Sequence, residues 1–268
     1  MRSANGSGSS NVSYPAKTEP MPIVSADAII LQAFAYGDTS RILRLLTSSL
    51  GIQSVIAKGA RGPRGRFGTL EPFTEGVATF YSKETRDLHT LSAFELTRSG
   101  RELGTNLVRF GGASLIAEIV ITVTREGSHP GLFEVVREGL QRLASEDEVN
   151  MEAAVLGEAW LLISQLGFAP ELDACIDCGR PIALEETTGF DYAAGGLRCA
   201  ECTPGSTARN LPPHARAAMR AFVRGETCDL PRTEGHWWLL SRYLDHHVLE
   251  GTRLRSLEFL ATAIGERP

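Results

Sequence analysis

The chain has 268 residues, is 43% hydrophobic and carries a formal net charge of -5, which provides apolar material for two domains. No apolar run approaches a membrane span and the opening residues lack the apolar stretch of a secretory signal, so a cytoplasmic protein with no membrane contact is expected. The charge is uneven: residues 21–98 sum to +2 and residues 99–268 to -8, and from Arg41 to Leu70 there are six basic side chains and no acidic one, a pattern that predicts a polyanion as partner.

Residues 1–21 are rich in Ser, Gly, Asn and Pro without hydrophobic periodicity, and are read as a disordered extension. Residues 22–98 divide into five short β-compatible runs, at Val24–Phe34, Ser40–Thr47, Ile52–Lys58, Thr69–Tyr81 and Leu88–Leu96. Gly51, Gly59, Gly62, Gly65 and Gly76 punctuate them. Five strands in so short a span predict a small barrel; an OB-fold suits the count, and an SH3-like barrel fits it as well.

After Arg98 the period becomes helical. Leu115, Ile116, Ile119, Val120 and Val123 share a face, as do Phe133, Val136, Leu140 and Leu143, and then Met151, Val155, Ala159, Leu162, Ile163 and Leu166. Gly167 and Pro170 follow the third run in the order expected beyond a helix end. Further helices are expected from Pro212-Pro213 to Gly225, from Trp237 to Leu249 and from Arg255 to Ile264. The prediction is a multidomain α+β protein: a barrel over 22–98, a helical domain over 99–268, and a non-helical module inserted at 172–205.

That module carries Cys175, Cys178, Cys199 and Cys202, spaced C-x2-C-x20-C-x2-C. Paired thiols two residues apart can hold one ion from a tight turn, and four thiolates leave no open position for water, so one structural zinc is expected. Disulfides and a redox or iron–sulfur role are the rival readings of the same cysteines. Zinc would contribute on the order of 10–16 kcal/mol to folding a segment too short for its own core. Cys228 lies outside the pattern and reads as a packed thiol.

Catalytic signals are missing from the sequence. His89, His129, His214, His236, His246 and His247 do not form an i, i+4 metal pair, and no Walker loop, nucleophile elbow or dinucleotide fingerprint occurs. The binding signals are stronger. Arg41, Arg44, Lys58, Arg61, Arg64 and Arg66 are candidate phosphate contacts, and Tyr36 and Phe67, flanking turn residues, are candidate platforms for stacked bases. Phe73, Phe80 and Phe94 read as barrel core. Arg216, Arg220 and Arg224, four apart on one helix, form a secondary candidate for DNA or an acidic peptide, with a solvated face as the competing reading.

Tyr36-Gly37-Asp38, Thr47 and Gly51, Ala57-Lys58-Gly59-Ala60-Arg61-Gly62-Pro63-Arg64, and Leu70-Glu71-Pro72-Phe73 together resemble the N-terminal signature of the RecO family of recombination mediators. The four-cysteine module and Arg255-Ser256-Leu257 extend the resemblance over nearly everything after residue 22. It implies an OB-fold joined to a helical domain with a zinc module. It also implies a non-enzymatic protein of DNA repair that binds single- and double-stranded DNA and anneals complementary strands. Such a protein associates with RecR, contacts SSB and helps RecA replace SSB. The rival expectations are an adaptor that docks chiefly on proteins and a zinc-ribbon nuclease.

Overall fold

A computed structural model describes residues 22–62, 67–82, 87–124, 129, 131–206, 208–249 and 251–265. The expected extension at 1–21 lies outside the described residues, as do Arg64 and Arg66.

The first part is a closed barrel of β1 (Ile23–Tyr36), β2 (Ser40–Thr47), β3 (Gly51–Ala57), β4 (Glu75–Tyr81) and β5 (Leu88–Arg98), in the order β1-β2-β3-β5-β4. β1, β2 and β3 form an antiparallel meander, β3 meets β5 in parallel, and β4 closes on β1. Parallel pairing of the third and fifth strands with closure of the fourth on the first is OB-fold order, which decides against the SH3-like alternative. β4 begins at Glu75 rather than Thr69 because the chain before it is bent: Phe73 has a φ of +65° and donates its N–H to Ile30 O at 2.6 Å. A left-handed residue cannot continue a strand.

Ala28-Ile29-Ile30-Leu31 in β1 is buried on both faces. Ala28 and Ile30 fill the barrel with Leu43, Leu45, Val55 and Phe80, whereas Ile29 and Leu31, with Leu46 of β2, pack into the core of the helical part. The continuous apolar run is what a strand covered on both sides requires. A register shift between Ile30 and Gln32 then resets the alternation, leaving Ala33 against the barrel core while Phe34 and Tyr36 are exposed.

The helical part comprises α1 (Leu107–Val123), α2 (Leu132–Ser145), α3 (Met151–Gln165), α4 (Pro213–Val223), α5 (Glu234–His247) and α6 (Arg255–Ala263). Asn106 caps α1 by accepting from the N–H groups of Val108 and Arg109. Gly111 and Gly112 lie where α1 is crowded: a Cβ on Gly112 would come within 2.3 Å of Val155 on α3, and one on Gly111 within 2.6 Å of Leu260 on α6. Small residues here permit the close approach of three helices. α6 is fixed further by Glu118, whose carboxylate accepts from Arg255 N, Ser256 N and the Ser256 hydroxyl.

Between α3 and α4 a three-stranded sheet forms from β6 (Thr188–Asp191), β7 (Gly196–Arg198) and β8 (Arg209–Leu211), in the order β7-β6-β8. The sheet continues past residue 205, where the module was expected to end. Its inner side chains Phe190 and Leu197 belong to the same core as Trp160 and Leu240 of the helices.

Candidate functional site

The cysteine module is built by two tight turns. In the first, Gly179 at φ +71° donates its N–H to Cys175 O at 2.9 Å, a conformation glycine adopts without strain. In the second, Cys202 N and Thr203 N both donate to Cys199 O, at 3.1 and 2.9 Å. Ile176 N donates to Leu197 O at 2.8 Å and brings the two turns face to face. The four ligand sulfurs all lie within 4.8 Å of one another, with Cys178 Sγ and Cys199 Sγ 3.9 Å apart. A tetrahedral ion with metal–sulfur bonds of about 2.3 Å needs sulfurs about 3.8 Å apart, so the residues fit a single ion. None of the four is in a disulfide.

The thiols differ in acidity. Burial pushes Cys175 up, but N–H groups from Cys178, Cys199 and Asp177 outweigh it and hold the thiol at about 6. Cys199 is also lowered, chiefly by the Cys202 N–H. Cys202 is pushed up to about 12, first by its hydrogen bond with Cys199 and then by burial. Full ionisation of four adjacent thiols therefore calls for a cation among them. Around them, Arg198 pairs with Asp177 inside the first turn and with Asp191 at 3.1 Å, and Arg180 pairs with Glu186 at 2.5 Å.

The second candidate region is one end of the barrel. Tyr36 opposes Ser40 across β1 and β2, and Arg41 opposes Ala57 across β2 and β3, which places Tyr36, Arg41 and Lys58 at the same end. The turn after β3 is tied to the turn after β1 through Arg61, whose N–H donates to Thr39 O at 2.8 Å and whose Nη1 donates to Gly37 O at 3.2 Å. Arg44 is exposed and aligned with Gln32 and Ser54. Tyr36 is 53% exposed. Arg41 is partly committed: Nη1 donates to Leu70 O at 2.9 Å and Nη2 pairs with Glu71 at 3.2 Å.

Two sequence expectations need correction. Phe67 is buried in the barrel core with Leu70 and Phe80, and it offers no face to a base. Arg216, Arg220 and Arg224 do not form a shared cationic face. Arg216 is fully buried and donates through Nη2 to Ala183 O and Leu184 O, tying the cysteine module to α4. Arg220 pairs with Asp173 at 2.8 Å, and Arg224 alone of the three is exposed. Phe80 and Phe94 lie in the barrel core as expected, while Phe73 is buried in the helical core instead. Phe34, 49% exposed, joins Tyr36 on the outer face; only the register shift in β1 turns it there, and composition carries no sign of it.

Among the described residues no helix is long and apolar enough to cross a membrane. The family described as Recombination protein O N terminal matches residues 21–99, and Recombination protein O C terminal matches residues 104–258. The chain belongs to the RecO family. A DNA repair protein RecO of Anaeromyxobacter sp. strain K is 32% identical over 254 residues, covering 90% of this chain and 96% of the relative. The RecO of Symbiobacterium thermophilum is 31% identical, with 90% and 98% covered, and that of Rubrobacter xylanophilus is 30% identical, with 92% and 100% covered. The barrel, the cysteine module, α1 to α5 and the start of α6 fall inside the two family matches, which assign this RecO-family chain to DNA repair and recombination.

Proposed function

We propose that this protein is a non-enzymatic recombination mediator. It binds single- and double-stranded DNA, anneals complementary strands and, with RecR, helps RecA replace SSB on single-stranded DNA in the cytoplasm. The reading rests on one observation: Tyr36, Lys58 and Arg61 gather at one end of an OB-type barrel with Arg44 exposed on the adjoining strand β2, and these basic residues lie in the stretch from Arg41 to Leu70, which has no acidic residue, on a chain of net charge -5. Arginine and lysine there neutralise phosphate repulsion between strands, and an exposed aromatic ring holds bases without reading their identity. Annealing requires little more. RecR and SSB as partners rest on family membership. The four cysteines hold one structural zinc, which their number, spacing and sulfur geometry favour.

The test is titration of fluorescent single- and double-stranded DNA at several salt concentrations. If Arg41, Arg44, Lys58, Arg61, Arg64 and Arg66 all meet phosphate, the log–log salt slope is about -5 on duplex and about -4 on single strands. Binding that barely changes between about 50 and 200 mM salt refutes the assignment.

A further inference from the structure

Beyond the barrel end lies a groove of about 320 Å³ between β1, α1 and α6, lined by Phe34, Phe110 and Phe259 with Gln32 and Arg255 at its edge. The three rings are 49%, 40% and 39% exposed. The far wall is constructed, not accidental. Glu118 caps α6 and Gly111 lets it approach α1, so that Phe259 meets Phe110 edge to face at 6.1 Å, and Phe110 in turn meets Phe73 at 5.8 Å.

We infer that this groove is a second stacking platform, which carries unpaired bases of a single strand from the barrel onto the helical part. The inference rests on the DNA-binding reading above and extends its path. Half-open ring faces are what a base needs to stack, whereas a peptide anchor needs a closed, fully desolvated pocket. The groove is also continuous with the proposed interface: Phe34 and Gln32 lie on the same outward face as Tyr36, and Gln32 is aligned with Arg44. Arg255 of α6, which also lines the groove, is exposed and has no ion pair among the described residues, leaving its guanidinium for the backbone of the departing strand.

Bases in a duplex are already stacked on one another, so the platform discriminates strand number. The full-length F110A/F259A variant is expected to bind oligodeoxythymidine about 5- to 150-fold more weakly per lost stack, with duplex affinity unchanged. A second measurement needs no variant: ultraviolet cross-linking of the wild-type protein to a bromodeoxyuridine-substituted single strand should label peptides from residues 107–123 and 255–263. Equal losses on single strands and duplex overturn the inference. So do cross-links confined to the barrel, and so does a variant that keeps single-strand affinity but loses a protein partner, which would make the groove a peptide site. Failure of the DNA-binding reading itself looks different: the wild-type protein would bind neither form in a salt-dependent way.

Discussion

Arg216 illustrates how far a side chain's spacing can mislead about its task. Its position four residues before Arg220 suggested a shared face, yet the guanidinium turns inward to two carbonyl oxygens of the cysteine module, where it has the character of a tether. Replacing it with Met is expected to cost about 2–3 kcal/mol of stability, because the two charge-assisted hydrogen bonds that tie the module to α4 are lost, while the folded protein keeps its DNA affinity. Chemical denaturation beside a binding titration would separate the two. His236 makes a pH prediction. Burial, reinforced by His214, lowers its pKa, and its Nδ1 has no partner among the described residues. The unfolded chain therefore takes up the proton first, so stability falls as pH drops through about 6.5. Melting temperatures at pH 7.5 and 5.5 should differ less for His236→Leu than for the wild type. The cysteines and the surface arginines were legible as residues, because their spacing or charge is itself the signal. The burial of Phe67 and Arg216 was not, since tertiary contact alone decides it.

At the scale of elements, periodicity served well. The helical stripes in α1, α2 and α3 and the strand β2 fall where their patterns put them, although β2 serves both cores, Leu43 and Leu45 the barrel and Leu46 the helices. What escaped was phase. The register shift in β1 moves Phe34 outward, and the left-handed Phe73 delays β4, yet neither leaves a mark in composition. The contact of α1 with α3 offers a sharp test. Gly112→Ala would ordinarily strengthen a helix by about 1 kcal/mol. Here the new methyl meets Val155, which is buried and β-branched, so a net loss of about 1–3 kcal/mol is expected in urea denaturation.

For the whole molecule, the cysteine module is more than an appendage that a metal would staple. Cys175, Phe190 and Leu197 lie in the helical core, whereas the barrel keeps a second core of its own. Stripping the ion with a chelator, or substituting Cys199→Ser, is expected to disturb the helical part first and leave the barrel's strand signal in circular dichroism until a later transition. Elemental analysis should find one zinc per chain before treatment and none after it. A single cooperative loss of both signals would show that the cores are coupled more tightly than their separate memberships suggest.

They meet along β1. Because Ala28 and Ile30 serve one core and Ile29 and Leu31 the other, this strand is a common spine that neither part can abandon without tearing open both. Ligands held at the barrel end and beside α6 therefore keep a fixed offset from each other. On the function proposed above, a bound strand would be presented as a jig holds a workpiece, and a complementary strand would meet one shape each time it arrives.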